Sequence, residues 1–135
     1  MERLVLEQGT MVELRAIAAF VDQCCAPWVV DSRTLYHLKL AVDEACSNIF
    51  EHAYAGQPGR LEIEIERSEA WLTLRLRDWG QPFDPDDLEE PDASLPLEQR
   101  RVGGLGVHLI RQVMDRVLYR FDTTLGNCLT LQKKL

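Results

Sequence analysis

Apolar positions along this chain follow two spacings, and each change of spacing marks a change of element. The alternation of Arg3 to Glu7 predicts a short edge strand. Thr10 with Glu13 three residues later has the form of a capping box. Leu14, Ile17, Ala18, Val21 and Cys25 then recur at helical spacing until Pro27. Asp31 or Ser32 can cap a second helix running to about Ala53, beyond which Gly56, Pro58 and Gly59 stop it. Leu61, Ile63 and Ile65 alternate with Glu62, Glu64 and Glu66, the pattern of a strand with one wet face. Ser68-Glu69-Ala70 turns the chain into Leu72, Leu74 and Leu76, which alternate with Thr73, Arg75 and Arg77 and complete a hairpin.

Both spacings fail over residues 79–101. Those 23 residues carry Pro82, Pro85, Pro91 and Pro96, and read as a long loop of the kind used for lids or left disordered. Residues 103–115 are a glycine-rich entry into a third helix, and 117–121 and 128–131 are two closing strands around a turn at Gly126-Asn127. This order predicts an α+β fold over a single domain, 1–135: a two-layer sandwich with a mixed, mainly antiparallel sheet and helices on one face.

Composition narrows the chemistry. Fifteen Lys and Arg against 22 Asp and Glu give a net charge of −7, which argues against gripping nucleic acid or anionic lipid through bulk positive charge. A nucleotide remains compatible, because backbone N–H groups and a metal ion can hold a few phosphates. No apolar run has the length of a membrane span, and no basic-then-apolar leader opens the chain. The cysteines, Cys24, Cys25, Cys46 and Cys128, form no C-x-x-C and no cluster with His37, His52 or His108, so reduced thiols in a cytoplasmic protein are expected.

Three features exceed what a plain core needs. Glu44, Asn48 and His52 fall at i, i+4 and i+8 along the flank of the second helix's apolar stripe. A carboxylate and an amide oxygen one turn apart can hold Mg²⁺ and accept a proton, although a solvated flank has the same pattern. Asp78 continues the inward alternation of Leu72, Leu74 and Leu76, so its carboxylate needs a backbone N–H, a water or the exocyclic amine of a base, unless it only caps the loop. Gly80 permits close approach there. Gly103, Gly104 and Gly106 open a helix at a cost of about 1 kcal/mol each, which suits a phosphate-wrapping turn or a hinge.

Taken in order, these features resemble the ATP-binding fold of gyrase, the ninety-kilodalton chaperones, histidine kinases and mismatch-repair ATPases. The small serine-kinase branch of bacterial anti-sigma factors is the nearest match. Residues 38–54, L-K-L-A-V-D-E-A-C-S-N-I-F-E-H-A-Y, resemble that branch's asparagine box; Asp78-Trp79-Gly80 resembles its first glycine box and residues 102–110 its second.

The resemblance implies ATP and Mg²⁺ as cofactors, with Glu44 as general base and Asn48 as metal ligand. It gives His52 a place on the pocket rim, Asp78 the adenine amino group, and Gly80 the adenine pocket wall. Gly103, Gly104, Leu105 and Gly106 become the phosphate turn, with residues 79–101 an ATP lid and Arg100 or Arg101 reaching the γ-phosphate. Asn127-Cys128 stands where many relatives have two threonines, so Thr130 is the candidate hydroxyl near the adenine carboxylate. The implied partners are a STAS-domain antagonist and a sigma factor, without contact to DNA or membrane, from a chain that can dimerise. A nucleotide-gated binding module with little kinase activity is the alternative.

Overall fold

The computed structural model describes residues 1–83, 104–122 and 124–135, and of 104–108 the backbone alone. The helices are α1 (Leu14–Cys25), α2 (Ser32–Asn48) and α3 (Gly104–Val113). The strands are β1 (Glu2–Gly9), β2 (Gly59–Arg67), β3 (Trp71–Asp78), β4 (Arg116–Arg120) and β5 (Asn127–Lys134). They form one sheet in the order β1-β2-β3-β5-β4, and each described pairing is antiparallel. The expected α+β sandwich is borne out. No helix among the described residues is long and apolar enough to cross a membrane.

The inward alternation makes the core. Leu61, Ile63, Ile65, Leu72, Leu74 and Leu76 are at most 1% exposed and meet Ile17 and Val21 of α1 and Leu38, Val42 and Cys46 of α2. Burial of this kind removes roughly 25 cal/mol of apolar exposure cost per Å² and is the main force pressing the helices to the sheet. Cys24, Cys25 and Cys46 are buried and, like Cys128, carry free thiols. Burial pushes the Cys25 thiol up to about 11 and that of Cys46 further, so both stay protonated at neutral pH.

The opposite sheet face has an ionic surface. Arg3 and Arg60 both pair with Glu62, at 2.7 and 2.6 Å, and Arg75 pairs with Glu66 at 3.1 Å. Glu62 is only 8% exposed, since two guanidinium groups close over it and hold its carboxyl below the usual range. The expected wet face is therefore partly covered by its own cross-strand partners.

Local starts and stops differ from the sequence reading at two places. Asp31 caps α2 as expected, accepting Thr34 N–H at 2.9 Å and the Thr34 hydroxyl at 2.8 Å. Thr10 makes no side-chain cap; a 3₁₀ turn, Met11–Glu13, lies between it and α1, and Glu13 N–H bonds the Thr10 carbonyl instead. The second helix does not continue to Ala53 as α-helix. Residues Ile49–Ala53 form a π turn, closed by Tyr54 N–H on the Ile49 carbonyl.

Candidate functional site

The π turn brings the end of α2 against the end of β3. Its last carbonyl, on Ala53, accepts Gln81 N–H at 2.7 Å. A Cβ at Gly80 would run into that same carbonyl, so only glycine lets β3 leave the sheet here. The Tyr54 hydroxyl donates to the Arg60 carbonyl and accepts Trp79 N–H at 2.9 Å, tying helix, β2 and β3 together.

Asp78 lies inside this junction at 1% exposure, on the leucine face as its parity predicts. Its Oδ1 accepts Gly80 N–H at 2.9 Å and Asn127 Nδ2–H at 2.9 Å. Burial still raises its pKa, against the lowering effect of those two bonds. The Arg77 guanidinium points away, to the Leu125 carbonyl at 2.6 Å.

In the helix layer, α2 presents Glu44 and Asn48 one turn apart. Glu44 is partly buried, and desolvation, followed by the charges of Asp43 and Glu51, raises its pKa. Asn48 is 4% exposed, yet its amide makes no hydrogen bond among the described residues. It lines a cavity with Ala45, Ile49, Phe83, Ile110 and Leu129. His52, on the π turn, leaves the straight α-helical line through Glu44 and Asn48, because a π turn holds an extra residue. Its ring tilts on Phe83 with centroids 5.7 Å apart, and its buried Nε2 has no hydrogen-bond partner among the described residues. Phe83 in turn contacts Tyr119 at 5.9 Å, so an aromatic row spans from the π turn to β4.

Thr130 requires a correction. It pairs with Arg75, while Asp78 pairs with Asn127, so three residues separate Thr130 from the Asp78 register and put it on the opposite sheet face. There it lines a groove with Arg75, Arg77 and Arg120. The position beside Asp78 belongs to Asn127. Continuing the alternation of Leu131 and Leu129 back to 127 would have found it. Phe83 and the bridging role of Tyr54 were also missed, since neither follows a strand or helix period.

Gly104, Leu105 and Gly106 form the first turn of α3, whose leading N–H groups have no intrahelical acceptor. Arg100, Arg101 and Gly103, with the lid from residue 84 onward, lie outside the described residues. No group of three or more His, Cys, Asp or Glu is placed to hold a metal among the described residues.

The serine-protein kinase RsbW of Halalkalibacterium halodurans is 36% identical over 90 residues, 64% of this chain and 55% of that protein. The serine-protein kinases RsbW of Bacillus thuringiensis and Bacillus cereus are each 35% identical over 89 residues, 63% of this chain and 56% of theirs. The chain thus spans about half the length of the curated relatives it matches. The histidine kinase-like ATPase domain matches residues 8–133, nearly the whole sequence and each element of the junction just described, and the chain belongs to that family.

Proposed function

We propose that this chain binds ATP with Mg²⁺ in the cytoplasm and phosphorylates a serine of a small STAS-domain antagonist, so that a sigma factor is held or released by partner switching. The observation that carries the reading is the Asn48 amide, buried at 4% exposure but without a hydrogen bond among the described residues, one turn from a carboxylate with a raised pKa. A buried amide normally finds a partner; one left open toward a cavity is suited to a ligand. Mg²⁺ rarely uses an all-protein cage and takes one or two protein oxygens with phosphates and water, which agrees with a lone Asn48.

Each residue then has a task. Asp78 accepts from the base, and Gly80, packed against Ala53, forms the wall beside it. Asn48 supplies the amide oxygen to the metal. Glu44 takes the proton of the incoming serine hydroxyl, for which a pKa above the ordinary glutamate value brings it closer to working pH. Leading N–H groups of α3 face the phosphates, and Arg101 or Arg100 adds charge there. His52 lines the rim. When bound, Mg-ATP supplies the transferable phosphoryl group and offsets part of its charge. The relatives named serine-protein kinase support the reaction class.

The test is to incubate the chain with Mg-ATP and STAS-domain proteins, then measure phosphoserine by mass spectrometry, with thermal unfolding run in parallel. At 100 times the dissociation constant, Mg-ATP is expected to stabilise the fold by about 2.7 kcal/mol. Stabilisation without phosphoserine leaves a nucleotide-gated binding module. No stabilisation at all removes the reading.

A further inference from the structure

We propose that Asn127 is a specificity-determining residue: it locks Asp78 in place and adds a second acceptor, so that the pair selects a base bearing an exocyclic amino group over one bearing an oxo group. The inference rests on the nucleotide-binding reading above. It starts from the sheet register, which pairs Asp78 at the end of β3 with Asn127 at the start of β5. Both side chains lie on the core face, at 1% and 3% exposure.

The amide is fixed in one orientation. Its Nδ2 donates to Asp78 Oδ1 at 2.9 Å and to the Gly80 carbonyl at 3.1 Å. Both neighbours are acceptors only, so an exchange of nitrogen and oxygen would set two acceptors against the amide oxygen. The two amide protons are therefore spent inside the junction. Asn127 Oδ1 is left without a hydrogen bond among the described residues, and so is Asp78 Oδ2, whose partner oxygen already takes two donors. Neither oxygen is among the sealed, unpartnered atoms.

Backbone geometry holds the pair still. Gly126, just before Asn127, has φ +88°, and a Cβ there would press on the Asp78 carbonyl and the Trp79 indole. Gly80 is held on its other side by Ala53. Asn127 thus joins the floor of the site, Asp78, to the wall that Gly80 forms.

The chemistry follows from counting donors. A 6-amino group offers two protons, and this corner offers two unspent oxygens. A 6-oxo group would face the same oxygens as a third acceptor, beside a carboxyl whose charged form the Asn127 and Gly80 donors favour against its burial. Without Asn127, Asp78 loses one of the two bonds that favour its charged form and moves toward a neutral acid, which can donate to an oxo group. Removing Asn127 should therefore lower selectivity from both directions.

The experiment is calorimetric titration of the full chain with ADP and with inosine diphosphate, which differs in carrying 6-oxo for 6-amino. The parent chain is expected to prefer ADP by on the order of 100-fold. Asn127→Leu, of similar shape and without polar atoms, should reduce that ratio by about tenfold, mainly through weaker ADP binding. Asn127→Ser, which keeps a donor but withdraws the amide oxygen, should move the ratio the same way and serves if the leucine variant does not melt cooperatively. Equal weakening toward both nucleotides, with the ratio preserved in a variant that melts cooperatively, would mean that Asn127 only supports the fold. That result overturns the proposal and leaves nucleotide binding standing. Binding of neither nucleotide to the parent would instead defeat the nucleotide reading itself.

Discussion

The sheet and helix sides of the candidate site are built on opposite plans. On the sheet side, Asp78 shares one oxygen between Gly80 and Asn127, and Tyr54 and Ala53 fasten the surrounding backbone. On the helix side, neither Asn48 nor the Glu44 side chain makes a hydrogen bond among the described residues. The sheet side has its polar groups mostly satisfied within the fold, as a rigid reader of shape and donor pattern requires. The helix side keeps them unspent, as groups must be if their partners arrive with a substrate. Rigidity and reactivity are therefore divided between sheet and helix, and each can be perturbed without the other.

The largest effect tests the helix side. Glu44→Gln should lower phosphate transfer by about 10²–10⁴-fold while Mg-ATP affinity stays within about twofold. Phosphoserine yield and calorimetry read the two quantities separately, and undiminished transfer would end the assignment of Glu44 as base. In the parent chain the acid limb of the transfer rate should lie above the ordinary glutamate value of 4.5, because desolvation, Asp43 and Glu51 all raise the Glu44 pKa.

Asp78→Asn tests the sheet side and should act on binding, weakening ADP by about 1–3 kcal/mol. Its effect on the empty protein should have the opposite sign. Burial raises the Asp78 pKa from 3.8 in the folded chain. Between that value and the raised one, the folded state keeps a proton that the unfolded state has released. Stability therefore falls as pH rises through this window and stays lower at neutral pH. Asparagine has no such charge to bury, so the variant should melt higher without nucleotide and gain less on adding it. A lower melting point for the empty variant would show that the carboxylate is structural rather than reserved for a ligand.

The smallest effect sharpens the account of how the sheet side is fastened. Tyr54→Phe removes the hydroxyl between the Arg60 carbonyl and Trp79 N–H, and should cost about 1 kcal/mol in urea unfolding. ADP affinity should fall with it, since Trp79 joins Asp78 to Gly80. Phosphate transfer at saturating ATP should barely change, and a large loss there would blur the separation of the two sides.

Much of this was legible in the chain. Period-2 alternation located β2, β3 and the inward direction of Asp78, because each strand buries one face only. Asp31 was legible as a cap because its carboxylate serves its own neighbours. What could not be read depends on residues distant in sequence. Asn127 meets Asp78 49 residues away, and only the order β3-β5 brings them together. Thr130 was favoured for its hydroxyl, and parity on β5 sent it to the other face. The π turn has no period of its own. Its cause is tertiary: Phe50 fits beneath Gly9, and Ala53 must reach Gln81.

That turn has a consequence for how the chain can change in length. Helix ends usually accept a gained or lost residue, because the following loop absorbs it. Here the π turn already holds one residue more than an α turn, so deleting one residue among Ile49–Ala53 would return the segment to α-helix and leave Tyr54 and the residues after it near their present positions. The Tyr54 hydroxyl would keep the Arg60 carbonyl and Trp79 N–H, and the loss would fall on contacts made within the turn, such as Phe50 beneath Gly9. A second deletion would have no extra residue to draw on and would pull Ala53 and Tyr54 away from Gln81 and Trp79 together. This segment should therefore tolerate the loss of one residue and not of two.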